Sequence, residues 1–489
     1  MSLTAGEQYL IELINRGRLD PLSEAARYNL DLNAGLAAGT IGTHALQVLA
    51  PNTALDTAAT RHSDWMLAND SFSHGGAGGS NAGDRMQSAG YVFTGTWGWR
   101  ENLAWLGSTG GIDLEASIAQ HHEGLYRSQS HRENTFAPEM REIGIGQVGG
   151  SFTYQGTTYN SSMVTEKFAV SGSGAYVTGV AYRDADRDDF YSRGEGQQDV
   201  WFKVGNQLDR TASAGGYAVH VEMQDNLDVL VGRGGQLMAK VELDTSEGNV
   251  KLDLVTQGNG IRMLETSGDM KLVWGVGGAR LLGSGNLELT GSNFGNLLEG
   301  NRGANLMEGA GGNDLMRGMN GNDAMFGGDG NDRIYGGTGH DRMFGGDNAD
   351  VLVGDSGNDV LWGQLGNDRL FGGDGNDILL GNGFRDMLYG GDGNDRLDGG
   401  AGSDVMVGGA GADLFIFSAH RDTVVDFQDN VDTVAIRNYL GDGDLTVREV
   451  LAMGEIRNGN AVFDFGNDHV LTINHVTNLA VLANDMIIL

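Results

Sequence analysis

Residues 327–346 read GGDGNDRIYGGTGHDRMFGG, and this stretch decides the architecture of the C-terminal half of the chain. Its glycine density is costly, because glycine loses more backbone freedom on folding than any other residue. An aspartate and a large apolar residue nevertheless each return every nine positions. We expect the regular return of these two residues to offset the cost of ordering the glycines.

The nine-residue period runs without insertion from Gly291 to Ile416, as fourteen units that each begin with glycine. The eighth position of every unit is apolar, and the sixth is Asn296, then Asn305, and then aspartate twelve times. Neither a helical nor a heptad period produces this register. The sequence therefore predicts coils of two turns and two short strands, stacked into a parallel β-roll.

The sixth-position aspartates are expected to form two rows, one along each edge of the stack. Their carboxylates would repel one another without counter-ions, and one buried residue per strand is too little to hold coils together. Calcium takes six to eight oxygen ligands in flexible geometry, so it suits carboxylates and turn carbonyls. The predicted calcium ligands are Asp314, Asp323, Asp332, Asp341, Asp350, Asp359, Asp368, Asp377, Asp386, Asp395, Asp404 and Asp413.

The register of residues 291–416 resembles the RTX nonapeptide GGxGxDxUx, a calcium-binding β-helix repeat. A glycine-rich coil without ions is the alternative interpretation. Two units depart from the pattern, one at Asn348 and one at Phe384 and Arg385, and we expect weak or missing ions beside those turns. The stretch ADLFIFSAHRDTVVDFQDNVDTVAI is similar to the segment that closes the roll in secreted RTX proteins such as serralysin-type proteases. That resemblance implies a C-terminal type I secretion signal and the type I secretion apparatus as a partner. We expect residues 417–489 to form such a β cap, and a plain β-strand cap without a signal is the alternative for the last residues.

The composition excludes several classes of protein. The chain has 489 residues, 65 of them acidic and 32 basic, for a net charge of −33 at pH 7. Such a surface attracts cations and repels nucleic acid, so we expect no nucleic-acid partner. The lack of cysteine excludes disulfides and cysteine-ligated zinc. No apolar run is long enough to span a membrane, and the first residues lack the pattern of a Sec signal peptide.

Residues 1–170 mix helical and strand patterns. Thr4 and Glu7 predict a capping box at the start of a first helix. Four stretches follow in order: HSDWMLANDSFSH, GYVFTGTWGWRENLAW, GLYRSQSHRENTF and IGIGQV. Together they resemble the CAP superfamily (cysteine-rich secretory and SCP-like proteins) in its bacterial form. The resemblance implies an α-β-α sandwich with a cleft that holds two histidines and one or two acidic residues.

Carried over residue by residue, the cleft residues are His74, Glu101 and His131. Animal members have a second glutamate where this chain has Ser128, and an aromatic residue where it has Leu125. Two imidazoles and a carboxylate could bind Zn²⁺ or Mg²⁺, or could act as acid and base in catalysis. They could also only hydrogen-bond one another and stabilise the cleft wall.

Residues 175–256 alternate as short strands, which predicts a small β-sandwich, and residues 257–290 are expected to form a β-rich cap before the roll. Within the sandwich, residues 184–195 read DADRDDFYSRGE, which matches the oxygen spacing of an EF-hand calcium loop except for Asp189, where an EF-hand has glycine. The flanking strands resemble the B-repeat-like modules of bacterial surface adhesins. An acidic turn without an ion is the alternative. The candidate ligands are Asp184, Asp186, Asp188, the carbonyl of Phe190, and Glu195.

The expected fold is therefore multidomain, with an α+β part and all-β parts. The favoured function is a secreted calcium-binding protein, extracellular or attached to a cell surface. Its CAP domain would bind an unknown extracellular lipid, peptide or glycan, and its roll would fold on calcium after export. One alternative is a secreted metal-dependent hydrolase, such as a peptidase, that acts in the CAP cleft. Another is an adhesive or matrix protein in which every domain is structural.

Overall fold

The computed structural model describes residues 3–258, 260–438 and 445–489. The chain divides into two compact units, Met1–Val276 with Leu281–Gly285, and Gly277–Arg280 with Asn286–Leu489. The first unit combines helices with sheets, and the second is almost entirely β. The expected combination of α+β and all-β architecture is confirmed. The region predicted to close the roll, residues 417–489, includes residues 439–444, which lie outside the described residues.

The helices of the first unit begin with α1, where the predicted capping box is present. The Thr4 hydroxyl accepts the N–H of Glu7, and the Glu7 carboxylate accepts the N–H of Thr4. These two hydrogen bonds satisfy N–H groups that no helical carbonyl can reach. The helices are α1 (Ala5–Leu19), α2 (Pro21–Arg27), α3 (Thr53–Ala68), α4 (Ala82–Ser88), α5 (Leu114–Arg127) and α6 (Gln129–Thr135).

A four-stranded sheet with helices on both faces forms the N-terminal part. Its order is β1-β3-β4-β2, and only the β1–β3 pair is parallel. Leu10 of α1 and Ile118 of α5 pack with Ile143 and Ile145 in one buried cluster, and α3 packs on the opposite face. This is the predicted α-β-α sandwich. The strands are β1 (Ala50–Pro51), β2 (Trp97–Ser108), β3 (Glu142–Tyr154) and β4 (Thr157–Ser171).

The IGIGQV stretch lets α3 lie directly on strand β3. A Cβ atom at Gly144 would be 2.2 Å from the backbone of Leu55, and one at Gly146 would be 2.1 Å from the backbone nitrogen of Thr60. Any side chain at these two positions would push the helix away. The alternating glycines therefore face α3, while the isoleucines between them face α1 and α5.

Residues 175–256 form two facing sheets, in which Phe202 and Tyr217 stack with ring centroids 3.7 Å apart. One sheet contains β8-β5-β11 and the other contains β7-β6-β9-β10. Part of residues 257–290, expected as a cap of the roll, extends these sheets, because β12 pairs with β11 and β13 with β10. The strands are β5 (Ala175–Arg183), β6 (Val200–Val204), β7 (Gln207–Arg210), β8 (Gly216–Val221), β9 (Leu227–Arg233), β10 (Gln236–Leu243), β11 (Val250–Thr256), β12 (Arg262–Thr266) and β13 (Met270–Trp274).

The second unit is a parallel β-roll in which each strand pairs with the strand one 18-residue coil away. Met316 pairs with Ile334, for example, and Met343 with Leu361. The eighth-position side chains of all fourteen units are fully buried. The strands are β14 (Gly278–Leu281), β15 (Glu288–Thr290), β16 (Leu297–Glu299), β17 (Leu306–Glu308), β18 (Leu315–Asn320), β19 (Ala324–Asp329), β20 (Arg333–Thr338), β21 (Arg342–Asp347), β22 (Val351–Ser356), β23 (Val360–Leu365), β24 (Arg369–Asp374), β25 (Ile378–Gly383), β26 (Met387–Asp392), β27 (Arg396–Asp398), β28 (Val405–Ala410) and β29 (Leu414–Phe417).

The described residues after the repeats add strands to both sheets of the roll and one short helix, α7 (Val447–Met453). A buried group that includes Phe463 and Leu471 supports them. None of the helices described is long and apolar enough to cross a membrane. The strands are β30 (Arg421–Val424), β31 (Thr433–Ile436), β32 (Gly454–Arg457), β33 (Asn460–Asp464), β34 (Val470–Ile473) and β35 (Met486–Ile488).

Candidate functional site

Two ladders of aspartates run along the roll, joined by hydrogen bonds from coil to coil. In one, the backbone N–H of Asp332 donates to Oδ1 of Asp350 at 2.8 Å. In the other, the N–H of Asp341 donates to Oδ1 of Asp359 at 2.7 Å. The spacing of 18 residues repeats along both rows, so each carboxylate holds its own coil to the previous one. All twelve predicted ligands lie in the ladders.

The second carboxylate oxygen of each ladder residue is buried and accepts no hydrogen bond. The twelve aspartates are at most 2% exposed, and Oδ2 of each is without a partner. Burial is the main cause that raises the pKa of Asp314 to about 7 and that of Asp350 to about 8, and the charges of neighbouring aspartates contribute in the same direction. Rows of buried, unpartnered carboxylate oxygens suit a hard divalent cation, which takes oxygen ligands and neutralises their charge.

Glycine at the first position of each unit makes room for the carboxylate. A Cβ atom at Gly327 would lie 2.4 Å from Oδ2 of Asp332. The same close approach recurs at Gly354, where a Cβ would lie 2.4 Å from Oδ2 of Asp359. In these units the first glycine therefore leaves room for the aspartate of its own unit.

The first two units lack the carboxylate but keep the register. The N–H of Asn296 donates to Oδ1 of Asp314 at 2.6 Å, and the Asn305 N–H donates to Asp323 at 2.7 Å. The side-chain oxygens of these asparagines accept N–H groups of their own turns. A neutral amide adds no charge for a cation here, so an ion-poor start to the roll stays our prediction.

The two departing units also keep their aspartates in the ladder. Asn348 and Phe384 adopt φ values of +82° and +75°, in the left-handed region that favours glycine. Asp386 still accepts the N–H of Asp368 at 2.8 Å. Both turns therefore accommodate a residue other than glycine at the fourth position without breaking the coil. Weaker ion binding beside these turns stays a prediction.

The acidic loop of residues 184–195 gathers three of its predicted ligands. One oxygen each of Asp184, Asp186 and Asp188 lies within 4.8 Å of the other two. Asp189 takes φ +57°, so it makes the sharp turn for which an EF-hand uses glycine. Both Glu195 oxygens accept backbone N–H groups of the loop, from residues 185 and 192. The structure thus brings the three aspartates together, and Glu195 braces the loop that carries them.

The predicted cleft joins His74 to Glu101 directly. Nδ1 of His74, which precedes α4, lies 2.9 Å from Oε1 of Glu101 on β2. Nη2 of Arg85 on α4 donates to both Glu101 oxygens, at 3.0 and 2.7 Å, and to the carbonyl of His74 at 3.1 Å. The Glu101 side chain is buried, whereas that of His74 is 62% exposed.

A second cation that the sequence analysis missed completes the surroundings of Glu101. Lys167 on β4 is the cross-strand partner of Glu101, and its ammonium group contacts Oε2. Burial raises the pKa of Glu101, but hydrogen bonds from His74 and the charges of Lys167 and Arg85 lower it to about 2. Such a carboxylate is a poor proton acceptor at neutral pH. The available signal was a lysine within the strand-like stretch VTEKFAV.

His131 lies on α6, close enough to His74 for the two rings to interact electrostatically. Burial lowers the pKa of His131, and the nearby imidazole of His74 lowers it further. Ser128 is the N-cap of α6 without a side-chain cap hydrogen bond, and Leu125 is buried. Neither Ser128 nor Leu125 therefore supplies a carboxylate to the cleft.

An open cavity of about 820 Å³ adjoins this group. Within the described part of the chain, its lining includes His74 and Glu101 but not His131. The exposed side chains of Trp97 and Trp99 also line the cavity. Trp99 packs against α4, because a Cβ at Gly83 would lie 2.6 Å from its ring nitrogen. The cavity therefore offers flat aromatic surface beside one exposed imidazole.

Three other histidines of this region, His62, His121 and His122, are buried, whereas His44 is exposed. Nε2 of His62 lies 3.0 Å from the carbonyl of Ser73, and Nε2 of His122 lies 3.1 Å from Glu24. Burial lowers the pKa of His62 to about 4. The His62 ring is neutral and the His122 ring is paired, and both are parts of the core.

Two family models match separate parts of the chain. The cysteine-rich secretory protein family, CAP, matches residues 11–162. The RTX calcium-binding nonapeptide repeat matches in four copies, over residues 290–325, 317–352, 344–379 and 380–415. No curated protein matches the chain significantly.

Two solved structures match parts of this chain. An extracellular protein containing a SCP domain from Bacillus anthracis is 21% identical over 33% of this chain and 39% of its own, with a TM-score of 0.22. The extracellular lipase LipA from Serratia marcescens is 18% identical over 43% of this chain and 40% of its own, with a TM-score of 0.17. The chain thus spans about two fifths of each. The family models thus find a CAP domain in residues 11–162 and RTX calcium-binding repeats in residues 290–415, in agreement with the sandwich and the ladders described above.

Proposed function

We propose that this protein is exported, that calcium folds its RTX roll outside the producing cell, and that its CAP domain then binds an extracellular ligand. Calcium binding follows from the RTX repeats. The role of calcium in folding, the route of export and the ligand of the cleft are the proposed parts.

The buried row of unpartnered carboxylate oxygens carries the folding part of the proposal. Each such oxygen, left without a hydrogen bond or an ion, costs free energy. Residues 291–416 contain 20 acidic and 7 basic residues, a difference of −13. Ions between the coils would offset both the desolvation and the repulsion. A chain in a calcium-poor cytoplasm would then stay unfolded in this half and fold on meeting calcium.

Export through a type I apparatus fits a C-terminal region that lies beyond the repeats. We place the secretion signal in residues 417–489, by resemblance to secreted RTX proteins. A roll that folds only when it binds calcium would stay unfolded until the chain has left the cell, as passage through a narrow export channel requires. Deletion of residues 417–489 should therefore retain the protein inside a cell that has the apparatus. Normal export of the truncated chain would overturn this part of the proposal and leave the calcium part intact.

The contacts of Glu101 favour binding over catalysis in the cleft. Its two oxygens already meet Arg85, Lys167 and His74, so no carboxylate oxygen is left as a free base. The exposed His74 ring and the indoles of Trp97 and Trp99 can contact a ligand by hydrogen bonding and stacking. We therefore favour a peptide or glycan, whose polar groups and flat faces match this wall, over a lipid chain.

Zn²⁺ or Mg²⁺ between His74 and His131 belongs to the alternative function of a metal-dependent hydrolase. The positive charges of Arg85 and Lys167 next to Glu101 oppose a third cation there. Zinc equilibrium dialysis with the full chain and its His74→Ala and His131→Ala variants decides the point. Zinc bound by the wild type and lost in both variants, together with metal-dependent peptide cleavage, would replace the binding function with the hydrolase.

The folding part is tested by calcium titration of the full chain. Far-UV circular dichroism should show strand content rising as calcium is added and falling when a chelator removes it. An ordered roll in metal-free buffer would overturn the proposal. The binding part is tested with immobilised glycans, peptides and lipid vesicles, with Trp97→Ala and Trp99→Ala as variants that should weaken capture. Capture that neither variant weakens would exclude this wall as the binding surface.

A further inference from the structure

The nine-residue register continues one unit past the last glycine-containing repeat. Residues 417–425 read FSAHRDTVV and begin nine positions after Gly408. Their sixth position is Asp422 and their eighth is Val424, which is fully buried. Met406 pairs with Val424 in parallel, at the same 18-residue offset as the coils before it. A unit without a single glycine therefore occupies the place of a fifteenth repeat.

Asp422 stands in the ladder as the repeat aspartates do. Its Oδ1 accepts the backbone N–H of Asp404 at 3.1 Å, and the N–H of Thr423 donates to the carbonyl of Asp404 at 2.8 Å. Asp422 is 1% exposed, and its Oδ2 has no hydrogen-bond partner. Oδ2 of Asp404 is equally buried and unpartnered. The last two aspartates of this ladder thus each present an unpartnered oxygen, as neighbouring aspartates do within the repeats.

The backbone of the unit keeps one of the two positive-φ positions of the repeat turn, since Ser418 at its second position lacks the positive φ found there in every aspartate-containing unit before it. His420 at the fourth position takes φ +61°, a region that glycine usually occupies and that Asn348 and Phe384 occupy in two earlier units. The unit differs at its first position, where Phe417 replaces glycine and its ring is buried. The register of the turn therefore does not depend on the glycines by which the motif is identified in sequence.

From this geometry we infer that Asp404 and Asp422 hold a further calcium ion, one coil beyond the nonapeptides. The inference rests on the proposed calcium ladder and extends it into the C-terminal region. Two carboxylate oxygens and carbonyls of the two turns supply oxygen ligands of the kind that calcium takes. The second ladder does not continue in this way, because both oxygens of Asp432 accept backbone N–H groups, from Asp413 and Gln428.

The position of this ion gives it a specific role. Strand β30, which carries Asp422, pairs with β34 through Arg421–Val470 and Val424–Ile473. The ion between Asp404 and Asp422 thus joins the last repeat to strands near the C-terminus. Calcium then orders the closing segment together with the roll, so that the segment proposed to carry the export signal becomes folded only after export.

The test counts calcium on the full chain by atomic emission after saturation and desalting. Asp422→Asn keeps an oxygen for the Asp404 N–H but removes the charge, so the count should fall by one ion per chain. Asp468→Asn is the matched control, because Asp468 is exposed and pairs with Arg421 of the same turn; its count should stay at the wild-type value. An unchanged count in Asp422→Asn overturns the inference.

Asp404→Asn separates this inference from the calcium ladder itself. A count lowered in Asp404→Asn but not in Asp422→Asn overturns only the extra site. Counts unchanged in both variants overturn the ladder as well. Hydrogen exchange of the wild-type chain provides a measurement that needs no variant. Residues 421–424 and 470–473 should gain protection at the same calcium concentration as residues 405–410, and protection of residues 421–424 in calcium-free buffer would contradict the inference.

Discussion

The backbone N–H of Asp314 donates to Oδ1 of Asp332 at 2.8 Å, although 18 residues separate the two in the chain. One oxygen of Asp332 thus joins neighbouring coils, while its Oδ2 is buried without a partner. The two oxygens have different tasks, since the first needs only an acceptor and the second needs a positive charge. An amide in place of the carboxylate preserves the first task and removes the second.

Asp332→Asn should therefore weaken calcium binding without breaking the coil-to-coil hydrogen bond. We expect one or two fewer ions per chain and a folding midpoint shifted to roughly tenfold higher calcium, equal to about 1.4 kcal/mol. Calcium titration followed by circular dichroism measures the shift. Asp329→Asn, three residues earlier in the same turn, changes an exposed carboxylate and should leave the midpoint in place. Equal shifts in both variants would assign the effect to net charge rather than to the ladder.

The roll could be predicted from the sequence because its determinants are local and periodic. The aspartate, the buried apolar residue and the first glycine recur at fixed spacing, so the sequence pattern alone predicts the ladder. The pattern did not predict Asp422 as a ladder residue, because its unit keeps the nine-residue register but contains no glycine. The contact of Lys167 with Glu101 was not predicted for another reason, since it depends on the pairing of β2 with β4. Long-range register of this kind is fixed by packing across the sheet, not by a motif.

Phe384 offers a stabilising substitution. It takes φ +75° with its side chain 62% exposed, and a residue with a Cβ atom in the left-handed region costs about 1–2 kcal/mol. Phe384→Gly removes that cost and little buried surface, so we expect the calcium-loaded roll to gain about 1 kcal/mol. Differential scanning calorimetry should show its unfolding temperature raised by about 2–4 °C.

The chain provides a matched control at Phe294. This residue also holds the fourth position of its unit and is 69% exposed, but its φ is not positive. Phe294→Gly should lower stability by about 0.5–1 kcal/mol, since glycine adds backbone freedom to the unfolded chain without relieving strain. A gain of similar size in both variants would show that loss of an exposed aromatic ring, not backbone geometry, is responsible.

Glu166 makes the stability of the first unit depend on pH. Burial raises its pKa from 4.5 to about 7, and the amide of Asn102 donates to it at 2.9 Å. The folded state therefore retains a proton that the unfolded state loses. The resulting stabilisation is fully present below about pH 4.5 and is lost as the pH rises through 7, by about 3 kcal/mol in total. Glu166→Gln should flatten this slope.

Urea unfolding between pH 5 and pH 8.5 measures the Glu166 effect, read by tryptophan fluorescence. Four of the seven tryptophans lie in residues 1–170. The glutamine variant should match the wild type near pH 5 and exceed its stability above pH 7. Burial also raises the pKa of Asp56 to about 7, so a smaller slope of the same sign should persist until Asp56→Asn is added. An unchanged slope in Glu166→Gln would mean that this carboxyl group ionises normally in the folded chain.

The cluster around Glu101 predicts unequal costs for its members. Glu101→Gln leaves two cations, Lys167 and Arg85, without their counter-charge, and breaking a buried pair costs about 3–5 kcal/mol. Lys167→Met removes only one of the two cations that neutralise Glu101, so it should cost less, about 2 kcal/mol. Glu139→Gln, which breaks the partly exposed pair with Arg100, should cost less than about 1 kcal/mol.

The double variant Glu101→Gln with Lys167→Met decides whether these groups act as one unit. If they do, its loss in urea unfolding should fall short of the sum of the single losses by about 1–3 kcal/mol, because removing the cation relieves the site that lost its anion. Additive losses would mean that Lys167 does not hold Glu101 in place. Arg85 and His74 would then be the groups that hold Glu101, and Lys167 would no longer count against hydrolysis in this cleft.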